Sequence, residues 1–500
     1  MSAATSQSLE RESISASLKS GVLWVAGLNL FRDLLQFGLM LVLVRILEPK
    51  AYGEFGFVTS IIGFFTFVSY RCFSEHILQV RSDEVIDYQT QFTSAGIIQI
   101  ILFLVVNLFA LGMRPFAAYA PSAHLVHLMS FLFLLDWPNE FRFKVLEKSL
   151  DWKRLRLLQA VGSILSALAA LLLALEGFGV YALLAPALLV PLPFIYDLFF
   201  VSKWRPNWSF NWDYFRVAAK YGLARAGSGS VVFGRQLIEG AALVQSIGYA
   251  QYGIYGRAMG LANICCLKMP SFVTPLLYPL LTRMKSGTEA YRKANDLIFR
   301  SIAWTVLPIA VLSSSIGGPL VKLLYGRQWE AAIPLLPLAM ASAALTAILQ
   351  TLSVMLLANR QQWRCLVSDV LVLCGSVLCL LFLLRRGPAA YLAGVVFTQA
   401  ISLLLMLFWL VVDRVIDVRV VWTALICPAG AAILASLLCD RFAPGASRAL
   451  VQSSYIAAAT LIFSFIYIGI LRIVLPRSLS ELLVHCPGGP VFRKALWLAA

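Results

Sequence analysis

LVRILEPKAYGEFG at residues 43–56 returns two hundred positions later as LVQSIGYAQYGIYG at residues 243–256. Leu43-Val44 matches Leu243-Val244, Tyr52-Gly53 matches Tyr252-Gly253, Gly56 matches Gly256, and Phe55 stands opposite Tyr255. These five identities and one aromatic pair fill the same point of each half, where a first long apolar stretch turns into a second. The stretches on either side are apolar throughout. The chain is 60% hydrophobic and 13% charged, against about 45–50% and roughly 25% in an ordinary soluble domain. So few charges cannot cover an aqueous surface, and a mean hydropathy of +0.81 over 500 residues spreads the apolar surplus along the whole chain. Lipid is the expected solvent. About 20 apolar residues cross a ~30 Å hydrocarbon core as a helix, whereas crossing strands would alternate in short segments. The fold expected is an all-α polytopic membrane protein.

Working outward from the repeat, the sequence places fourteen transmembrane helices. The first six cover residues 21–47, 55–78, 92–113, 125–145, 155–175 and 180–201. A polar, Trp-rich break follows, SKWRPNWSFNWDYF at residues 202–215. Residues 219–244, 253–281, 297–320, 332–357, 365–384 and 391–412 form the second six, and 420–438 and 451–471 complete the chain. This gives a lobe at 1–201, a linker at 202–218, a second lobe at 219–412, and two further helices with a tail at 413–500. Six helices separate the repeat copies. An even number leaves the lobes parallel, related by an axis along the membrane normal, which is a transporter architecture with its site between the lobes.

Orientation follows from Lys and Arg in the short connections. With the N-terminus inside, and basic residues towards the span ends counted with the connections they border, cytoplasmic segments hold 27 of the 41 basic residues and external ones hold 9. Both termini are expected to be cytoplasmic, with the first helix a signal anchor rather than a cleaved peptide. The net charge of +16 is read as this orientation signal and as attraction to anionic headgroups of membrane lipids, not as nucleic-acid binding. Nine cysteines lack any Cys-x-x-Cys pair and are read as small buried hydrophobes. His124 and His127, one turn apart without a third ligand, are read as interfacial polar residues and not as a metal site.

Several motifs carry a family resemblance. Arg45-Ile46-Leu47-Glu48-Pro49-Lys50-Ala51-Tyr52-Gly53 resembles the R-x-L-G-P-x-x-Y-G turn of polysaccharide exporters, with Glu48 in place of the usual Gly. Tyr255-Gly256-Arg257-Ala258, followed by Pro270, Pro275, Pro279 and Leu280-Leu281-Thr282-Arg283, resembles the eighth helix of that family. Leu324-Tyr325-Gly326-Arg327-Gln328-Trp329 resembles its L-Y-G-x-x-W segment. Over residues 18–480 the chain is similar to the Wzx-type flippases of the multidrug/oligosaccharidyl-lipid/polysaccharide superfamily. The resemblance implies a translocase in the bacterial inner membrane that moves undecaprenyl-diphosphate-linked oligosaccharide. It also implies work alongside polysaccharide polymerase and export machinery, and no catalytic residues.

The site is argued from charges within the spans, each of which costs roughly 2.5–3.5 kcal/mol at a helix centre unless paired or wet. In the first helix Asn29, Arg32, Asp33 and Gln36 share one face, with Arg32 about 16 Å deep. Arg235 is similarly deep in the seventh helix, with Glu239 one turn on. Arg257 and Lys268 share a face of the eighth. Arg225, near a helix end, reads as snorkelling. With Arg225 counted and the span-end Arg45 and Lys220 left to the connections, these three helices hold five cations against two acids, so local pairing cannot neutralise them, whereas a diphosphate would. Arg32, Arg235, Lys268 and Arg257 are the expected substrate-binding residues, arginine being suited by its bidentate fork. Asp33 and Glu239 are the expected coupling residues for a proton or sodium gradient, and no cofactor is expected. Gly222, Gly227, Gly229, Gly234 and Gly240 suit close packing or bending of the seventh helix. Trp204, Trp208 and Trp212 read as interfacial anchors. The plainer reading is that Arg235 with Glu239, and Arg32 with the neighbourhood of Asp33, lock the lobes together.

Other functions stay in view. A peptidoglycan-precursor flippase also handles a lipid diphosphate. A drug or cation antiporter of the same superfamily would favour an acidic or apolar cavity. A glycan polymerase would need a large external loop, and no external connection here exceeds about a dozen residues. No G-x-x-x-x-G-K-[ST] motif offers a nucleotide site.

Overall fold

The computed structural model describes residues 27–28, 30–67, 77, 86–284, 286–440, 449–476, 478 and 480. Asn29, Cys72 and Cys486 lie outside them, as do the surroundings of Arg225, Gly222, Gly227, Gly229, Pro275, Pro279 and Cys439. Among the described residues there is no strand, and the chain divides into two compact units, Met1–Gly253 and Ile254–Ala500.

The first unit begins with α1, residues 30–46, and α2, Pro49–Phe67. Glu48 between them takes an ordinary φ, so this turn has no need of the Gly usual at that position. Helix α3, Tyr88–Met113, starts where the Asp87 carboxylate accepts from the Thr90 amide at 3.0 Å. Helix α4, Ala120–Lys148, ends before Leu150, whose φ of 58° turns the chain. Asp151 then caps α5, Trp152–Leu175, by accepting from the Arg154 amide at 3.2 Å. In the sixth span, α6 at Tyr181–Val201, Pro186, Pro191 and Pro193 remove amide donors. It is helical only in pieces: a 3₁₀ stretch at Ala185–Leu189, an α turn at Leu192–Tyr196 and a π turn at Asp197–Val201. Residues 212–283 run as helix broken at Gly248 (φ 74°, ψ 170°), which gives α7 at residues 212–247 and α8 at residues 249–283.

A large apolar cluster in this unit joins Phe57, Val58 and Ile61 to Leu102, Val106, Leu125, Met129, Phe133, Leu184 and Val244, and smaller ones gather around Phe141 and around Leu155. Outward faces are apolar too: Leu104, Leu108, Leu168, Leu172 and Phe200 are each more than half exposed. Water would penalise that surface and hydrocarbon would not.

The repeat copies touch each other inside this unit. A Cβ built on Gly53 would stand 2.6 Å from the carbonyl carbon of Tyr249 and closer still to its oxygen. A Cβ built on Gly253 would press on the Pro49 carbonyl and lie 2.9 Å from the Gly53 amide nitrogen. Residues 49 and 249 are repeat-equivalent, as are 53 and 253, so the contact is reciprocal. Neighbouring contacts hold the crossing. Gly240 lies against Ser60 and Tyr252, and Gly234 against Phe64. Ser122 Oγ and the Tyr249 hydroxyl are 2.8 Å apart. Burial raises the Tyr119 phenol above its ordinary range, so it stays protonated and donates to Ala241 O and Gln245 Oε1, both at 3.2 Å.

In the second unit the remainder of α8 leads to α9, Glu289–Ser315, capped where Thr288 Oγ1 accepts from the Tyr291 amide at 3.3 Å. A short α10, Gly317–Leu324, is followed by Gly326 at φ 95° and the 3₁₀ stretch Arg327–Leu335. Tyr325 and Trp329 are fully buried around that turn. Helices α11 (Leu336–Ala358), α12 (Gln362–Phe382) and α13 (Pro388–Val412) follow. Helix α14 is Val418–Leu437, with a π turn at Trp422–Ile426, and α15 is Ala449–Val474. The last two helices pack on α9 through Trp304. Its Nε1 donates to Thr423 O at 2.9 Å, and its carbonyl accepts from the Tyr467 hydroxyl at 3.2 Å.

Among the described residues, nine helices are long and apolar enough to cross a membrane. They coincide with nine of the fourteen expected spans. The other five expected spans fall on residues that are helical where described, in α1, α2, α4, α7 and α8, and these helices carry Arg32, Glu54, Asp136, Arg235 and Arg257. The protein is an all-α polytopic membrane protein.

Candidate functional site

Arg32 and Asp33 project from successive positions of α1. Their charged groups are 3.9 Å apart and each side chain is about a third exposed, a geometry that offsets little of either charge. Arg32 also lies within electrostatic reach of Arg156 on α5. Two like charges from separate helices therefore face the same region. Gln36, one turn along the shared face, is exposed.

On α7, Arg235 is half-buried and makes no hydrogen bond or ion pair to any described residue. Glu239, one turn further, is half-buried and lies within electrostatic reach of the Tyr252 hydroxyl. No ion pair joins Arg235 to Glu239. Glu239 has a partner of its own elsewhere.

Arg32, Asp33, Arg235 and Glu239 belong to the first unit, Arg257 and Lys268 to the second. Arg257 is half-buried on α8, within electrostatic reach of the Tyr325 hydroxyl, and Lys268 is exposed on the same helix. Pro270 is buried, and α8 continues through it.

One charged cluster escaped the sequence reading. Arg142 on α4 and Arg154 on α5 both hold Asp197, at the π turn of α6. Arg142 Nε donates to Asp197 Oδ2 at 2.6 Å, and Arg154 Nε donates to Oδ1 at 2.7 Å. Asp197 and Arg142 are buried, while the Arg154 side chain is 36% exposed. One carboxylate thus ties three helices and leaves a net positive charge. The signal was present in Ile195-Tyr196-Asp197-Leu198, a carboxylate inside an apolar run, and in Arg142, a cation inside the span expected at residues 125–145.

The two histidines have separate partners. His127 Nδ1 lies 2.7 Å from Asn107 Oδ1, and its Nε2 lies 3.5 Å from Arg114. The His124 ring sits 6.1 Å from that of Tyr181. Among the described residues, no three potential ligands gather for a metal. The tryptophans of the linker divide: Trp204 packs between Phe92 and Phe141, while Trp208 and Trp212 are exposed.

Residues 42–334 match the sequence profile of a family described as "Polysaccharide biosynthesis protein". The succinoglycan biosynthesis transport protein ExoT of Rhizobium meliloti (strain 1021) is 24% identical over 306 residues, which cover 61% of this chain and 62% of that protein. The match therefore spans about three fifths of that relative's length. Among solved structures, the lipid II flippase MurJ in an inward closed conformation superposes with a TM-score of 0.68 at 12% identity, covering 90% of this chain and 98% of that one. An inward-facing multidrug resistance MATE family transporter of the MOP superfamily gives 0.55 at 16% identity, covering 77% and 95%. At these identities the likeness is one of fold.

Proposed function

The chain belongs to the polysaccharide biosynthesis protein family, and from that premise we propose that it flips a polyprenyl-diphosphate-linked oligosaccharide across the bacterial cytoplasmic membrane for surface polysaccharide synthesis. The relative named as a succinoglycan transport protein and the fold shared with a lipid II flippase support this reading. The observation that carries it is Arg235, a half-buried cation with no ion-pair partner among the described residues. A charge held within a span without a counter-ion is expensive, and a diphosphate is the counter-ion the substrate would bring.

In this reading Arg32 and Arg235 attract the diphosphate. Each charge-assisted contact contributes about 1.5–3 kcal/mol. Arg257 and Lys268, on α8 in the second unit, are cations that the same chemistry would suit for phosphate contact. The glycan occupies a wet cleft and the polyprenyl tail stays in lipid. Asp33 and Glu239 exchange a proton or sodium ion, whose differential affinity for two states sets which side is open. The reciprocal glycine crossing of α2 with the α7–α8 turn is closed in the described state and separates in the other.

The test is transport by Arg235→Ala, Arg235→Lys and Arg32→Ala at matched expression. Both alanine variants insert normally and lose translocation, and the lysine variant keeps part of it. An Arg235→Ala/Glu239→Ala variant that regained full transport would defeat the mechanism.

A further inference from the structure

The strongest unexplained surface is the segment joining α6 to α7. Its backbone is strapped to the start of α3. The Asn207 amide donates to Gln89 Oε1 at 2.6 Å, Gln89 Nε2 donates to Arg205 O at 2.9 Å, and the Asn211 amide donates to Thr90 Oγ1 at 2.8 Å. Trp204 fills the gap beneath, with ring centroids 4.8 Å from Phe141 and 5.4 Å from Phe92. A loop held at this many points has a fixed outer face.

That outer face is aromatic and basic. Trp208 is 65%, Trp212 64% and Phe210 41% exposed. Phe210, Trp212 and Phe215 form a preassembled triad with centroids 5.3–5.9 Å apart, and Trp208 leans on Trp137 at 5.5 Å. Lys203, Arg205, Arg216 and Lys220 are exposed around them, with Asp213 the one exposed acid of residues 203–220. The segment follows the apolar span ending at Val201 and lies level with the first turn of the span starting at Tyr88. It therefore sits where a hydrocarbon core gives way to headgroups.

We propose that residues 203–216 form an anionic-lipid docking strap, in which Trp208, Phe210 and Trp212 enter the headgroup boundary while Lys203, Arg205 and Arg216 bind lipid phosphates of the cytoplasmic leaflet. Charge complementarity selects the occupant. Tryptophan is at home at that depth, and several cations beside it add an attraction that a zwitterionic surface lacks. Because Gln89 and Thr90 fix the strap to α3, the docked lipids hold the first unit at a set depth while other helices move. The inference stands apart from the transport reading, since it concerns lipids of the membrane and not the cargo.

The experiment uses the full-length protein, purified in detergent and titrated with phosphatidylglycerol or phosphatidylcholine, with retained lipid counted by native mass spectrometry. Wild type retains phosphatidylglycerol preferentially. Lys203→Gln, Arg205→Gln and Arg216→Gln each weaken retention about fivefold, and Arg205→Lys restores it. In nanodiscs with brominated acyl chains near the headgroup, Trp208→Phe/Trp212→Phe removes a large share of the tryptophan quenching, with Gln89 and Thr90 left untouched. Equal retention of both lipids, or unchanged retention in all three charge variants, overturns the proposal. So does protection of Trp208 and Trp212 from quenching by a soluble oligosaccharide but not by phosphatidylglycerol, which would assign the strap to sugar stacking.

Discussion

Alanine at Gly53 tests the reciprocal crossing at its tightest point. The added Cβ would stand 2.6 Å from the Tyr249 carbonyl carbon, where ordinary carbon contacts begin at about 3.5 Å. Its partners there are backbone atoms, so no side-chain rotation relieves the clash, and the two turns must part by about 1 Å. Overpacking of this kind costs about 1–3 kcal/mol, which is a factor of roughly 5 to 150 in the population of the closed crossing. Gly253→Ala, pressing on Pro49 from the equivalent position, shifts the balance in the same direction. Gly38→Ala, which meets nothing within 4 Å, does not. The readout is the rate at which a water-soluble maleimide labels Ser122→Cys in a cysteine-free background, because Ser122 is fully buried beside Tyr249 while the crossing is closed. Both glycine variants accelerate labelling by a factor in that range. Rates within twofold of the parent at equal abundance would refute the reasoning.

Other consequences follow from the charges. Asp197→Ala leaves Arg142 buried and uncompensated, at a cost of about 3–5 kcal/mol, while the loss at the partly exposed Arg154 adds less than about 1 kcal/mol. Thermal unfolding in detergent drops accordingly, and Arg142→Met/Asp197→Leu recovers most of the loss; a single variant as stable as wild type would show the triad to be idle. Reporter fusions at Asn211 and after Ser480 read cytoplasmic and one at Gly326 reads external, and agreement between Asn211 and Gly326 would overturn the topology.

Composition was enough for the solvent and the helical class, because apolar content sets both. The repeat was legible because Gly53 and Gly253 each meet a backbone carbonyl that no side chain could tolerate, and that steric demand leaves the same residue at the same place twice. The place of Arg235 on a helix was legible from the apolar stretch around it, and the structure half-buries it there. Its lack of an ion pair with Glu239 was not legible, since spacing of four residues permits a pair without requiring one. The Arg142–Asp197–Arg154 triad was hidden for a different reason: it joins residues 43 and 55 positions apart, and Asp197 sits at a π turn that a regular helical reading does not foresee. Trp204 and Trp208 look alike in sequence. The structure separates them by the linker's hydrogen bonds with Gln89 and Thr90 and by the packing of Trp204 on Phe92 and Phe141.

The central claim is tested most directly by removing the protein from its host and locating the lipid-linked saccharide that accumulates. Spheroplasts of the deletion strain are treated with a membrane-impermeant glycan-modifying reagent before lipid extraction. Polyprenyl-diphosphate oligosaccharide should build up unmodified, on the inner leaflet, and wild-type protein but not Arg235→Ala should restore its appearance outside. Accumulation in the modified, outer-leaflet form, or no accumulation at all, would contradict a role in flipping.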